Sequence, residues 1–197
     1  MHRYFAVLAP GNPSGFPPAE NGKAGPMFLT IFSIAAMVAL DQFTKLLATQ
    51  ALAPDKTAPF LPGIMELRYL LNDGAAFSMF SGKSWGRWFL IAVTLAALAA
   101  LLYVLLFRRA RLDKLTYASL LMIEAGGIGN LIDRIAHGSV VDFFATTFIN
   151  FAVFNVADCF VTVGVILLAL SLLRGELSAK KDKARADAGK DGISNDR

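Results

Sequence analysis

Four long runs of apolar residues, separated by polar connectors, dominate the pattern of hydrophobic and polar positions along the chain. A helix needs about 20 apolar residues to cross the hydrocarbon core of a bilayer, and each run has roughly that length. The pattern therefore predicts an all-α membrane protein with four transmembrane helices. They are expected at about residues 27–48, 86–107, 115–135 and 153–173.

The segments around these runs predict two flexible ends and a small sheet outside the bilayer. Residues 1–26 are rich in Pro, Gly and Ala, which predicts a flexible cytoplasmic extension, and the basic, low-complexity residues 174–197 predict a disordered tail. Residues 27–173 between them form the predicted membrane domain. In its first connector, residues 65–69 alternate between apolar and polar side chains as a strand does, and residues 77–80 are a candidate partner strand.

Composition agrees with a membrane protein and excludes several function classes. Hydrophobic residues make up 55% of the chain and charged residues 17%, which is too apolar for a soluble domain. The single cysteine, Cys159, excludes an internal disulfide and a zinc site of paired cysteines. We therefore expect neither a metal nor a cofactor. The basic residues behind the net charge of +4 lie largely in the tail and in the connector at residues 108–114, without interleaved aromatic residues, so a nucleic-acid partner is not expected.

The distribution of Lys and Arg predicts that both termini are cytoplasmic. Cytoplasmic connectors of membrane proteins carry an excess of these two residues. The connector at residues 108–114 and the C-terminal tail are basic, whereas residues 136–152, between the third and fourth runs, contain neither Lys nor Arg. The connector between the third and fourth runs is therefore expected on the outer side of the membrane.

This orientation brings the polar residues of different helices to one depth. With a rise of 1.5 Å per residue from the cytoplasmic face, Asp41 and Asn130 lie roughly 21 Å up, in the outer half of a core about 30 Å thick. Asp158 falls in the first turns of the fourth helix, near the outer face, and Asp142 lies in the outer connector. The sequence therefore predicts one site near the outer face rather than a path across the membrane.

The residue types at this depth favour carboxylate chemistry. Charged side chains inside a membrane cost about 2.5 to 3.5 kcal/mol each, so they need partners and indicate a purpose. Several polar or charged residues are three or four positions apart and share a helix face. The pairs are Asp41 with Lys45, Asn130 with Asp133, Asn130 with Arg134, and Asn155 with Asp158. One aspartate would act as base on a water and another as acid. Asp142 and Asp158 fit by their depth, and Asp133 is the alternative.

Structural roles compete with functional ones at several of these positions. Asp41 and Lys45 are explained as well by a bracing salt bridge as by a direct role in a site. For Asp133 and Arg134 a bracing role is favoured. The competing structural role for Asp142 is that of a helix cap. However, its neighbours on both sides are apolar, and an apolar setting raises the pKa of a carboxyl as a catalytic acid requires.

Other function classes account for parts of the sequence. Cys159 with His137 would form a thiol nucleophile and its base, but a lone cysteine is more often a small buried apolar residue. An ion or proton transporter would place titratable groups along a pore, whereas the inner halves of the runs are apolar. A non-enzymatic assembly subunit would need neither Asp142 nor Asp158 for more than stability.

Five short boxes, taken in order, resemble the lipoprotein signal peptidase (signal peptidase II) family. The resemblance covers about residues 27–173 and excludes both ends. The boxes are Asp41-Gln42-Phe43-Thr44-Lys45, Asn72-Asp73-Gly74-Ala75-Ala76-Phe77, Gly129-Asn130-Leu131-Ile132-Asp133-Arg134, Val140-Val141-Asp142-Phe143 and Phe154-Asn155-Val156-Ala157-Asp158.

The resemblance implies an aspartic endopeptidase of the bacterial inner membrane. Such an enzyme removes the signal peptide from diacylglyceryl-modified prolipoproteins, cleaving just before the lipidated cysteine, works among membrane lipids without a metal, and is inhibited by globomycin-type cyclic peptides. It implies a catalytic pair at Asp142 and Asp158. Residues implied to bind substrate or support the site are Asp41, Lys45, Asn72, Gly74, Asn130, Asp133, Arg134, Asn155 and Ala157.

Overall fold

The computed structural model describes residues 24–53, 56–73 and 84–194. Most of the predicted N-terminal extension, the candidate strand at residues 77–80 and Gly74 lie outside the described residues. The described parts contain four long helices and one small sheet.

The four predicted transmembrane helices are confirmed. They are α1 (Ala24–Leu52), α2 (Ser84–Phe107), α3 (Lys114–Ala136) and α4 (Val156–Ser194). Each is long and apolar enough to cross a membrane. A short 3₁₀ turn, Arg109–Arg111, lies between α2 and α3.

The helix ends differ from the sequence prediction where local signals were decisive. Helix α4 begins at Val156 rather than at residue 153, because Asn155 is its N-terminal cap. It also continues to Ser194, through most of the segment whose composition predicts disorder. That segment is rich in Ala, Lys and Arg, which have high helix propensity, so a helix already started by the membrane span is extended at little cost.

The sheet is antiparallel with the order β1-β2-β3. Its strands are β1 (Thr57–Leu61), β2 (Met65–Asn72) and β3 (Val140–Thr146). The predicted strand at residues 65–69 is therefore confirmed within β2, and its partners are β1 and β3. The connector predicted around Asp142 is a strand instead, since the sequence of β3 is rich in Val and Phe, which favour extended structure.

Helix α3 packs closely against α4 through glycines. A Cβ atom at Gly126 would overlap the carbonyl oxygen of Ala157 in α4. A Cβ atom at Gly164 would lie only 2.8 Å from the carbonyl oxygen of Ser119 in α3. Because neither glycine has a side chain, the two backbones approach each other closely. The approach at Gly126 fixes the N-terminal end of α4 against α3, where the polar residues lie.

Candidate active site

The first turn of α4 is held by a reciprocal cap between Asn155 and Asp158. The Asp158 backbone N–H donates to Asn155 Oδ1 at 2.9 Å, and the Asn155 backbone N–H donates to Asp158 Oδ2 at 3.2 Å. This capping box satisfies two amides that a helix start leaves without intrahelical partners. Asp158 is thereby fixed at the N-terminal end of α4 and remains partly exposed.

Asp142 is held from two directions on strand β3. Asn72, at the end of β2, donates from Nδ2 to Asp142 Oδ2 at 2.9 Å. Asn155, the cap of α4, donates from Nδ2 to Asp142 Oδ1 at 2.7 Å. The Asp142 residue is only 1% exposed. Both carboxylate oxygens therefore have donors in a closed environment.

Two asparagines link the two aspartates. Asn155 bonds to Asp142 and also donates from Nδ2 to Asn130 Oδ1 at 3.0 Å. Asn130 in turn donates from Nδ2 to Asp158 Oδ1 at 2.8 Å. A continuous chain of amide hydrogen bonds therefore runs from one carboxylate to the other. The structure brings Asp142, Asp158, Asn130, Asn155 and Asn72 together.

The environment of Asp142 changes its acidity. Burial raises the pKa of the Asp142 carboxyl to about 6, and the nearby negative charge of Asp158 acts in the same direction. The hydrogen bonds from Asn72 and Asn155 and the charge of Lys45 lower the pKa and offset part of this rise. The carboxyl therefore holds a proton at a higher pH than an exposed aspartate does.

Lys45 contacts three polar side chains of the cluster around the two aspartates. Its Nζ lies 2.9 Å from Asp41 Oδ2 and 3.0 Å from Asp133 Oδ2. It also donates to Asn130 Oδ1 at 3.0 Å. The salt bridge between Asp41 and Lys45 that their spacing predicts is therefore present. Since Asn130 bonds to Asp158, the ammonium is one hydrogen bond removed from the candidate pair.

Asp41 and Asp133 connect this ion cluster to other elements. Asp41 Oδ1 accepts the backbone N–H of Ala157 in α4 at 2.9 Å. Asp133 accepts from Gln42 Nε2 at 2.9 Å and from the backbone N–H of Val141 in β3 at 3.1 Å. Asp133 therefore has a bracing geometry between α1, α3 and β3. With Lys45 also bound, its carboxylate is already occupied.

Arg134 has an N–H group that makes no hydrogen bond within the described residues. Its Nη1 donates to the backbone oxygen of Asn130 at a long 3.4 Å, and its buried Nε has no hydrogen-bond partner among the residues that the structure describes. The guanidinium is within electrostatic range of both Asp158 and Asp142. One buried N–H of a cation near both aspartates is therefore unsatisfied by the described residues.

The cluster contains one residue to which the sequence analysis gave no role. Gln42 follows Asp41 in α1 and donates to the backbone oxygen of Gly129 at 3.1 Å as well as to Asp133. The available signal was a polar amide inside an apolar run, because such a group needs a hydrogen-bond partner in lipid.

The family is decided by comparison with known sequences. The sequence profile of the family described as signal peptidase (SPase) II matches residues 33–174. The chain belongs to the signal peptidase II family. The matched region contains strand β3 and every residue of the cluster of carboxylates and amides.

Individual relatives and solved structures agree with this family. The chain is 40% identical over 148 residues to a lipoprotein signal peptidase of Streptococcus pyogenes serotype M6, covering 75% of this chain and 95% of that protein. A relative with the same description from S. pyogenes serotype M5 matches to the same extent.

Two solved structures, both described as bacterial membrane enzymes, match with a TM-score of 0.66 and 31% identity over 74% of this chain. The alignment covers 88% of one of those chains and 92% of the other. Membership of the signal peptidase II family confirms the resemblance of the five boxes. The protein is therefore a multi-pass bacterial membrane peptidase.

Proposed function

We propose that this signal peptidase II is an aspartic endopeptidase that removes the signal peptide from diacylglyceryl-modified prolipoproteins, cleaving just before the lipidated cysteine. One observation carries the mechanism: Asp142 and Asp158 are linked through Asn130 and Asn155 at the outer ends of α3 and α4. A pair of nearby carboxylates that shares a proton supplies a base and an acid at once.

The environments of the two aspartates support different roles. Asp142 is buried and has a pKa of about 6, so it is the carboxyl that holds the shared proton. Asp158 is partly exposed and lies in the first turn of α4, where the positive end of the helix dipole favours an anion. Asp158 therefore takes a proton from the attacking water. Asp142 donates its proton to the amine of the cysteine as the peptide bond breaks.

Arg134 and the asparagines support substrate binding in this proposal. The partly exposed guanidinium of Arg134 can donate to the carbonyl oxygen of the scissile bond, whose negative charge grows as water attacks. Asn130 and Asn155 keep the two carboxylates oriented. Asn72 holds the outer face of Asp142, while Asp41, Lys45, Asp133 and Ala157 support the site from below.

The proposed reaction has a direct test. Purified protein should cleave a diacylglyceryl-modified precursor and leave the same precursor intact when its cysteine is unmodified. Mass spectrometry of the product should show a new N-terminus at the lipidated cysteine, and a globomycin-type peptide should block its formation. Equal cleavage of both precursors would contradict the proposed substrate, and a transporter or assembly subunit would cleave neither.

We also propose that both termini are cytoplasmic and that the site faces the outer side. The basic connector between α2 and α3 and the absence of Lys and Arg from residues 136–152 support this orientation. Alkaline phosphatase, which is active only outside the cytoplasm, should be active when inserted at Phe148, an exposed residue between β3 and α4, and inactive when fused after Arg197. A fluorescent reporter that matures only in the cytoplasm should give the opposite result, and a reversed pattern would refute the orientation.

A further inference from the structure

Helix α3 ends against an arginine from α2. Arg87 donates from Nε to the backbone oxygen of Arg134 at 3.0 Å and from Nη2 to that of Ile135 at 2.9 Å. These carbonyls belong to the last turn of α3, which has no intrahelical donors for them. A cation at this end is also favoured by the helix dipole. The guanidinium of Arg87 therefore closes the C-terminus of α3 with two parallel bonds.

The same guanidinium covers the turn that follows α3. Gly138 has a φ of 86°, and a Cβ atom added there would lie 3.0 Å from Nη1 and 3.3 Å from Cζ of Arg87. The side chain of Arg87 therefore lies directly against the backbone of Gly138. A positive φ and a close approach of this kind both require glycine at this position.

This turn leads directly into the strand that carries Asp142. Strand β3 starts at Val140, which is paired with Asn72 of β2. The next residue, Val141, donates its backbone N–H to Asp133 of α3. The chain between the end of α3 and Asp142 is thus held by Arg87 at the turn and by Asp133 one residue before the aspartate.

We propose that Arg87 is a positioning residue for the peptidase reaction: its forked contact with the end of α3 and the Gly138 turn sets the position of Asp142 relative to Asp158. The proposal rests on the proposed aspartate pair. Arg87 itself donates to backbone carbonyls and not to either carboxylate. It acts on the reaction only through the geometry of the turn.

Replacing Arg87 should lower the turnover number and leave substrate affinity unchanged. A small displacement of a reacting group costs a large factor in rate, so Arg87→Ala is expected to reduce kcat by roughly 10- to 100-fold, with KM for the diacylglyceryl precursor within about twofold. Arg87→Lys keeps the charge but not the planar fork, so it should restore part of the lost kcat. Arg111→Ala, which removes an exposed arginine at the opposite end of α2, should match the unaltered protein.

A second substitution tests the coupling with the turn. Gly138→Ala disturbs the same turn from the side that Arg87 covers, so alone it should lower kcat. In the Arg87→Ala background it should lower kcat by a smaller factor, because the contact is already lost. Rates are compared per folded molecule, using the unfolding transition of each variant in detergent.

Two results would overturn the proposal. One is Arg87→Ala with an unaltered kcat per folded molecule, or with a change confined to KM. The other result combines two findings and applies even if Arg87→Ala does not fold. In it, Arg87→Lys leaves kcat unaltered, and Gly138→Ala lowers kcat by the same factor in the Arg87→Lys protein as in the unaltered protein. If the proposed role of the aspartate pair were wrong, the result would be different: Asp142→Asn would still cleave the precursor.

Discussion

Asp142→Asn and Asp158→Asn should each reduce cleavage of the diacylglyceryl precursor by roughly 10²- to 10⁴-fold, which is the usual contribution of a positioned acid or base. Asparagine has nearly the shape of aspartate and still accepts hydrogen bonds through its oxygen. It can neither take a proton from water nor return one to the leaving amine. The rate should fall while the protein remains inserted and folded, as measured by turnover and by thermal unfolding in detergent.

Asp113→Asn is the matched control for this pair. Asp113 caps α3 at the opposite end of the molecule, accepting the backbone N–H groups of Leu115 and Thr116, and asparagine is an equally good cap. This variant should cleave the precursor at the normal rate. Turnover near the normal rate by Asp142→Asn or Asp158→Asn would refute the aspartic mechanism.

The pH dependence of precursor cleavage should reflect the aspartate pair as a coupled unit rather than one carboxyl alone. Because burial raises the pKa of Asp142 to about 6, this carboxyl is protonated below that pH and loses its proton above it. Cleavage should therefore decline as the pH rises through the upper pKa of the pair, when the proton for the leaving amine is lost. A rate independent of pH across this range would contradict proton transfer by the pair.

Lys45→Met should destabilise the protein by about 3 to 5 kcal/mol, the cost of leaving buried charges without their partner. The substitution keeps a long apolar side chain but removes the ammonium that lies within 3.0 Å of both Asp41 and Asp133. Both buried carboxylates would then lose their ion-pair partner. The measurement is the shift of the unfolding transition in detergent, with Lys180→Met, at an exposed lysine, as the control.

A second variant separates this charge effect from lost packing. Adding Asp133→Asn to Lys45→Met removes one of the stranded charges, so it should recover part of the lost stability. If Lys45→Met unfolds at the temperature of the Lys180→Met control, or if Asp133→Asn only adds to its loss, the ion cluster does not stabilise the fold as described.

The sequence predicted those features that depend on local pattern. Hydropathy located the four helices, because the bilayer imposes one length on every span. Helix spacing placed Asp41 with Lys45 on one face, and the structure shows the expected salt bridge. Helix rise placed Asp41 and Asn130 at similar depths. The positions of Asp142 just before the fourth helix and of Asp158 in its first turns assigned both aspartates to the same layer.

The features that escaped prediction depend on partners distant in the chain. Strand β3 was interpreted as a connector, since only its pairing with β2 shows that its Val and Phe residues form a strand. Gln42 has its partners 87 and 91 residues away, and Arg87 has its partners 47 and 48 residues away. Glu124, a buried carboxyl in α3 whose Oε2 has no hydrogen-bond partner within the described ranges, also received no role, and the structure gives none.

The bond between Asp41 and the backbone N–H of Ala157 joins the first helix to the last across 116 residues. During synthesis α1 enters the membrane long before α4 exists, so Asp41 must wait for its partner until the final span has been inserted. The same delay applies to Asn130 and Asp142, whose bonds go to Asp158 and Asn155. A nascent or truncated chain therefore holds no assembled peptidase site, and proteolytic activity first arises when biogenesis of the whole bundle is complete.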